Sequence, residues 1–347
     1  MAYTTIDKPD EYFNTKLYTG TGSNQAITGV GFQPDVVWWK CRNVAKNHGL
    51  MDSVRGNTKR LIPNDTLNES TDLNYIQSFD SDGFTAGSNA NMNSSGDTFC
   101  SWNWLAGGTG VSNTQGSIAS TVSANTTSGF SVVSWTGTGT NPSTVGHGLG
   151  TAPSCIILRD RNNVSDWYVG HDGIGWTDRL KLNTTASTAS SVTLWNNTAP
   201  TSSLFTISSA LNFNGSPTIA YCFAEKKGFS KFGSYTGNGS SDGPFVYTGF
   251  RPGFFMIKRT DTTTNWIMYD TVRQPYNTTN PGPIYANLSS AEESNVTLTA
   301  FDILSNGFKT RNTSSWAESN ASGGTYIYMA FAENPLVTST GIPTTAR

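Results

Sequence analysis

One apolar run decides the fold, because it occurs three times in the chain. Gly31-Phe-Gln-Pro-Asp-Val-Val-Trp-Trp-Lys40 is matched by Gly249-Phe-Arg-Pro-Gly-Phe-Phe-Met-Ile-Lys258 and, more loosely, by Gly148-Leu-Gly-Thr-Ala-Pro-Ser-Cys-Ile-Ile-Leu-Arg159. In each copy a proline precedes the apolar residues, and a cation follows that proline by six residues. Four apolar residues are too few for a buried helix, so each run predicts a strand buried on both faces.

Four further elements accompany the run, always in the same order. They are an aromatic residue followed by a Gly-x-Gly turn, an aspartate, a Ser-Asp-Gly-Phe type of turn and a closing aromatic run. The first copy holds them at Tyr18–Gly22, Asp52, Ser81–Phe84 and Thr98–Trp104. The second holds them at Trp135–Gly139, Asp172, Asn212–Gly215 and Ile219–Glu225, and the third at Tyr235–Gly239, Asp270, Ser305–Phe308 and Tyr326–Glu333.

A repeat of about 100 residues has the size of a whole domain rather than of a solenoid unit. The predicted organisation is a leader at 1–16, a first unit at 17–108, a linker at 109–125, a second unit at 126–227 and a third unit at 228–347. The linker is expected to be exposed, because it is rich in Gly, Ser and Thr. We expect the leader to dock on a neighbouring subunit or another protein; a disordered tail is the alternative.

The predicted fold class is all-β, with three tandem β-sandwich domains of jelly-roll type. Strand-forming runs such as Phe130–Trp135 are bounded by glycine, and Asp82-Gly83 and Asn306-Gly307 are hairpin dipeptides at matched places. Charged residues make up 13% of the chain, about half of the roughly 25% usual in soluble domains. Ser, Thr, Asn and Gly supply the polarity instead, which favours strands and turns over helix bundles.

Composition excludes several classes of protein. The net charge of −2 lacks the basic surplus of a protein that tracks nucleic-acid phosphates. No stretch approaches the roughly 18 apolar residues of a membrane span. The four cysteines form no CxxC pair, which predicts free, mostly buried thiols; they are Cys41, Cys100, Cys155 and Cys222.

The repeated proline, cation and aspartate are the positions that the sequence singles out: Pro34, Lys40, Asp52, Pro153, Arg159, Asp172, Pro252, Lys258 and Asp270. We interpret each cation and aspartate as a cross-strand pair or as anchors of a turn. A divalent cation site is the alternative, but it would need several oxygen ligands per unit. We therefore expect no metal and no cofactor.

The sequence favours a protein without catalytic activity. His48, His147 and His171 do not occupy equivalent repeat positions, so a histidine-based triad lacks support. A glycan-cleaving first unit stays open through its carboxylates, Asp80, Asp82 and Asp97. Most tryptophans lie in strand-like runs, which indicates core packing. The exceptions lie in polar surroundings and are our candidate exposed contact residues: Trp176, Trp195 and Trp316.

The motifs resemble repeat domains of marine tailed-bacteriophage proteins. The resemblance rests on Tyr18–Gly22, Gly31–Lys40, Asp52-Ser-Val-Arg-Gly56, Ser78–Phe84 and the closing tryptophan-rich run. It covers the first unit closely and the third moderately. The central unit departs most, because Gly175 stands where the others carry Arg55 and Arg273.

The resemblance implies a virion context. Together with the tandem units and the low charge, it predicts a non-enzymatic virion structural protein made in the bacterial cytoplasm, most simply a tail fibre or appendage for host attachment. Its expected partners are other virion proteins and a host cell-surface glycan, with neither nucleic acid nor membrane insertion. Few charges protect its β-edges, which favours a homo-oligomer. The alternatives are a capsid-surface decoration protein and a glycan-binding or depolymerising tail enzyme.

Overall fold

The computed structural model describes residues 4–191, 193–275, 277, 282–293, 300–313 and 316–335. Within these ranges the chain is all-β, with antiparallel sheets and only short helical turns. None of the helices found there is long and apolar enough to cross a membrane.

The first unit contains a main sheet and a smaller sheet. The main sheet consists of β1 (Phe13–Thr19), β3 (Val36–Cys41), β4 (Gly49–Asp52) and β9 (Thr98–Trp104). The smaller sheet consists of β2 (Gln25–Thr28), β7 (Ile76–Asp80) and β8 (Gly83–Ala86), and a separate ribbon pairs β5 (Lys59–Arg60) with β6 (Ser70–Thr71). A 3₁₀ turn at Pro9–Glu11 precedes β1, and helix α1 (Ala90–Asn93) precedes β9.

The second unit repeats this plan with a wider main sheet. That sheet consists of β10 (Val111–Asn113), β11 (Ser120–Asn125), β12 (Phe130–Thr136), β14 (Cys155–Asp160), β15 (Tyr168–His171), β16 (Gly175–Lys181), β17 (Ala189–Ser190) and β19 (Pro217–Phe223). Its smaller sheet pairs β13 (Ser143–Gly146) with β18 (Leu204–Ile207), and a 3₁₀ turn covers Ser209–Leu211.

The third unit has the same two sheets. Its main sheet consists of β20 (Ser230–Thr236), β22 (Phe250–Arg259), β23 (Trp266–Asp270), β24 (Ile284–Tyr285) and β27 (Thr325–Pro335). Its smaller sheet consists of β21 (Phe245–Tyr247), β25 (Phe301–Leu304) and β26 (Gly307–Thr310), and helix α2 (Ala317–Asn320) precedes β27.

One strand order recurs in the three main sheets. It is β1-β9-β3-β4 in the first unit, β12-β19-β14-β15 in the second and β20-β27-β22-β23 in the third. The register also agrees, because Val36 lies opposite Trp104 and Phe254 lies opposite Phe331. The proline-led run is therefore an inner strand of each main sheet, between the closing strand and the strand that ends near the aspartate.

Each proline-led strand is buried on both faces, as its apolar run predicts. Val36 and Trp38 lie on one face, whereas Val37 and Trp39 lie on the other. The second set packs against the smaller sheet of its own unit. The first set packs inward, against the other two units.

The three inward faces form one shared core, to which every unit contributes; its members include Trp38, Trp104, Ile157, Phe223, Met256 and Phe331. Burial of each such side chain contributes about 1.5–3 kcal/mol. A central cavity of about 20 Å³ remains among these apolar side chains, which is room for about one water molecule. The three units are consequently not independent domains, because they share one hydrophobic core.

The segment 109–125 is part of a sheet, so its prediction as a linker is wrong. It supplies all of β10 and β11, and β11 pairs along its length with β12. Val122 and Ser123 in β11 are buried. Small hydroxylated residues are compatible with an outer strand as well as with a linker, which is why composition misled here.

The leader packs on its own chain. Thr4 and Ile6 are buried, and Ile6 belongs to the shared core. Phe13, in β1, stacks on Phe331 of the third unit at a ring distance of 4.9 Å. Residues 4–16 are therefore part of the fold of their own chain, and docking of the leader on another subunit stays a prediction; residues 1–3 and 336–347 lie outside the described ranges.

A repeated asparagine holds each Gly-x-Gly turn. The Oδ1 atoms of Asn93, Asn212 and Asn320 accept hydrogen bonds from the main chain of that turn at 2.8–2.9 Å. All three side chains are completely buried. Each belongs to an Asn-x-x-Gly motif whose glycine has a positive φ of 72–80°, a conformation that favours glycine. Asn212–Gly215 therefore matches Asn93–Gly96 and Asn320–Gly323, and its comparison with the Ser81–Phe84 turn is wrong.

Candidate functional site

The repeated polar residues meet at the three boundaries between units. Asp52 of the first unit contacts Tyr221 in the closing strand of the second, and Asp270 of the third contacts Trp102 in that of the first. His171 of the second unit contacts Tyr328 in the closing strand of the third. The three units thus form a closed ring, in which each one holds the next.

Asp52 combines a turn, an ion pair and a contact between units. Its carboxylate accepts hydrogen bonds from the Arg55 main-chain N at 2.9 Å and from Arg55 Nε at 2.6 Å. Tyr221 donates its hydroxyl to the same carboxylate at 2.7 Å. Neither side chain of the ion pair is exposed, so removal of one charge would leave the other buried.

Asp270 repeats this arrangement at the third boundary. It accepts from Arg273 N at 2.8 Å and from Arg273 Nε at 2.6 Å. Trp102 Nε1 donates to it at 3.1 Å from the first unit. Burial disfavours the charge on Arg273, but the charges of Asp270 and Glu292 and the hydrogen bond to Asp270 together outweigh burial and raise the pKa of the arginine.

In the second unit the equivalent position is His171, and the alignment of Asp172 with the other aspartates is wrong by one residue. In each unit the carbonyl oxygen of the residue after the proline accepts one matching main-chain hydrogen bond. The donor is Ser53 N in the first unit, Asp172 N in the second and Thr271 N in the third. Asp172 therefore matches the residue that follows the aspartate elsewhere. It is exposed and accepts from Trp176 Nε1 at 2.9 Å.

The repeated cations are buried beneath the neighbouring unit. Lys40, Arg159 and Lys258 are completely buried. Each donates to main-chain carbonyl groups of the preceding unit, at Ser289 (3.2 Å), Thr66 (3.1 Å) and Thr185 (3.2 Å) respectively. Burial lowers the pKa of both lysines to about 8 and that of Arg159 to about 10.

The predicted pairs of cation and aspartate do not form across the strands. Asp52 lies opposite Val36, and Asp270 lies opposite Phe254, at the proline end of the strand that carries the cation at its other end. The aspartates of the first and third units instead anchor turns, which is the other arrangement that the sequence suggested. The part of the chain described here contains no group of three His, Cys, Asp or Glu side chains that could hold a metal ion.

An outer ion bridge closes two of the boundaries. Glu69 binds Arg161 through two hydrogen bonds of 2.8 Å, and Glu292 binds Arg42 at 2.5 Å. At both places the main-chain N of the glutamate also donates to the carbonyl oxygen of the arginine. At the boundary between the second and third units the matching hydrogen bond runs from Thr188 N to Thr260 O at 2.9 Å. Threonines therefore replace both charges of the bridge at the boundary where histidine replaces the aspartate.

The three histidines are buried, neutral and structural. Trp38 Nε1 donates to His48 Nδ1 at 2.8 Å, so His48 Nε2 donates to the Tyr285 carbonyl of the third unit at 3.1 Å. Gly173 N donates to His171 Nδ1 in the same manner. Burial lowers the pKa of His48 to about 3 and that of His171 to about 4, and it also lowers the pKa of His147.

These depressed pKa values predict loss of stability in mild acid. Below pH 6.5 the histidines of the unfolded chain take up protons, whereas His48 and His171 stay neutral in the folded protein until about pH 3–4. Each should cost about 1.4 kcal/mol of unfolding free energy per pH unit across that window. We expect His48→Gln, which keeps one acceptor and one donor, to reduce the slope of unfolding free energy against pH by about one proton. Urea titrations at pH 4.5–7 measure that slope, and an unchanged slope would contradict the assignment.

The predicted contact tryptophans are wrong, because all three are buried. Trp176 is 7% exposed, Trp195 0% and Trp316 8%. Trp176 and Trp195 pack edge to face at 5.3 Å, and a Cβ atom at Gly170 would lie 2.4 Å from Trp176. Polar residues lie near each tryptophan in sequence, and this hid the fact that its indole turns inward.

Two exposed aromatic residues on one strand are ones that the sequence analysis missed. Phe245 is 45% exposed and Tyr247 57%, on the outer face of β21. The register places Ala26 and Thr28 at these positions in the first unit. Alternation of exposed and buried residues along β21 is the signal that could have revealed them.

The acidic residues of the first unit do not have the properties of a glycosidase acid. Asp82 accepts from Gly29 N and Gly31 N, and these backbone hydrogen bonds lower its pKa. Asp97 pairs with Lys46 at 2.6 Å, which lowers its pKa. Asp80 accepts from Thr85. A general acid needs a raised pKa, so Asp82 and Asp97 are better explained as anions that hold loops.

The cysteines are buried and free, as predicted: Cys41, Cys100, Cys155 and Cys222. Burial raises the pKa of the Cys100 thiol to about 12. A thiol of this kind is protonated at neutral pH and is a poor nucleophile.

Comparison with known proteins identifies a family without an assigned activity. No curated protein and no solved structure matches the chain. One family model matches residues 8–335, which include all three units and the boundaries between them. The chain therefore belongs to the family described as domain of unknown function DUF7483.

Proposed function

We propose that the chain is a non-enzymatic structural protein of a bacteriophage virion, a tail fibre or related appendage used in host attachment. The observation that carries this proposal is the closed ring, in which buried polar groups of every unit are satisfied by a neighbouring unit. A virion part made in a reducing cytosol has to persist outside the cell without disulfides. One shared core with interlocked boundaries supplies that persistence.

The repeat motifs that resemble tailed-phage proteins support the same proposal. We take the three units to be jelly-roll-like sandwiches, arranged in a ring instead of a linear series. The ring suits assembly with further copies of the chain or with other virion proteins, because it presents three similar edges. Phe245 and Tyr247 would be available for such contacts, since they are exposed.

A capsid-surface decoration protein is the second candidate, and the ring favours it specifically. Three similar units around one axis would match a position of threefold symmetry on a capsid, so that each unit meets an equivalent surface. A depolymerase has less support, because Asp82 and Asp97 have lowered pKa values.

Immunogold labelling of purified particles of the encoding virus tests the proposal. Label at the tail or its fibres is the expected result, and label spread over the head would select the decoration protein. Mass spectrometry of the same particles gives an independent readout. Absence of the protein from intact particles would refute both candidates.

A further inference from the structure

A groove of about 490 Å³ opens at the boundary between the second and third units. Its polar lining combines carboxylates and hydroxyls: Asp178, Thr188, Thr260, Asp261 and Thr325. The volume falls within the roughly 300–1,000 Å³ typical of small-molecule sites.

The groove differs chemically from its counterpart at the boundary between the third and first units. There a groove of about 550 Å³ contains Arg42 and Glu292, which satisfy each other in an ion bridge. At the boundary between the second and third units, Thr260 stands in the place of Arg42 and Thr188 in the place of Glu292. Their shorter side chains leave the groove without the bridge, and Thr188 Oγ1 has no hydrogen-bond partner within the described ranges.

Two carboxylates at the groove are held in place from outside it. Arg259 binds Asp261 through two hydrogen bonds of 2.8 Å, and this interaction lowers the Asp261 pKa to about 2. Ser190 donates its hydroxyl to Asp178 at 3.0 Å. Each carboxylate has further lone pairs that can accept hydrogen bonds from a ligand.

This set of groups suits a polyhydroxylated ligand. Sugar hydroxyls donate to carboxylates and exchange hydrogen bonds with threonine hydroxyls. Ionised carboxylates would repel uronic and sialic acids. We propose that the groove binds a short neutral oligosaccharide, which would be the host glycan if the proposed attachment role holds.

Isothermal titration of the full chain with four neutral trisaccharides tests the proposal: maltotriose, cellotriose, mannotriose and chitotriose. We expect at least one to bind, and the anionic trigalacturonic acid to bind at least tenfold more weakly. Binding of none of the four, or equal binding of the anionic probe, would overturn the proposal.

A double variant locates the bound sugar. Thr188→Glu with Thr260→Arg rebuilds the ion bridge of the other boundaries, so it should fold with unchanged or higher melting temperature and lose at least tenfold in affinity. Asp178→Asn should weaken binding without a change in melting temperature. Tyr247→Ala, on the exposed face of β21, is the matched control.

Loss of binding in Tyr247→Ala with full binding in both groove variants would contradict the proposed site. Sugar binding is measured on the purified chain and the virion position on particles. A failure of this inference is thus distinguishable from a failure of the proposed function.

Discussion

Replacement of Asp52 by asparagine should lower the free energy of unfolding by about 3–5 kcal/mol, the usual cost of breaking a buried ion pair. Asparagine keeps the size of the side chain but removes the charge that neutralises Arg55, and neither side chain of this pair reaches solvent. Glu69, at 3.0 Å from Arg55, compensates only in part because it also binds Arg161. Chemical denaturation followed by tryptophan fluorescence measures the change.

Asp172→Asn is the matched control for this experiment. The aspartate looks equivalent in sequence, but it is exposed and its contact with Trp176 needs only an acceptor oxygen. We expect a change within about 0.5 kcal/mol, as for an ordinary surface substitution. Equal losses in the two variants would show that the aspartates are equivalent after all and that the one-residue shift is wrong.

The sequence was sufficient for the local structure. The proline-led runs predicted strands buried on both faces, and Asp82-Gly83 and Asn306-Gly307 do form hairpins, between β7 and β8 and between β25 and β26. These features depend on residues close together in the chain. Periodicity and turn chemistry report such features directly.

The sequence could not show what covers each sheet. An apolar run such as Val36–Trp39 requires apolar partners on both faces, but it does not reveal whether they come from its own unit or from another. The same ambiguity applies to Lys40, whose partner Ser289 is 249 residues distant. Sequence alone pairs Lys40 with the nearest repeated acid, whereas in the structure its ammonium group donates to the carbonyl oxygens of Cys41 and Ser289.

The sequence identified some residues of the candidate site but not their surroundings, for a related reason. Repetition directed attention to Lys40, Asp52 and Asp270, but it gave no information on exposure. Trp195 appeared exposed because Asn196 and Asn197 follow it, yet both asparagines adopt positive φ angles in a turn that leaves the indole inside. Residues that break the repeat, such as Thr188 and Tyr247, distinguish the units from one another.

Deletion of the third unit, residues 228–347, should abolish folding of the remainder. The shared core would lose Phe254, Met256 and Phe331 among others, and their former neighbours Phe13 and Trp104 would face water. Each large side chain contributes about 1.5–3 kcal/mol, so loss of several exceeds the roughly 5–15 kcal/mol by which proteins are stable. Lys40 would also lose Ser289, and Trp102 would lose Asp270.

The truncated chain is therefore expected to be insoluble or to lack a cooperative melting transition in calorimetry. Co-expression of 1–227 with 228–347 is the control, because the break falls in the turn between Lys226 and Phe229 and leaves the sheets intact. The two fragments should copurify and melt as one unit. Three independent sandwiches in series would behave differently: residues 1–227 alone would melt cooperatively close to the temperature of the full chain, and that result would rule out a shared core as the main source of stability.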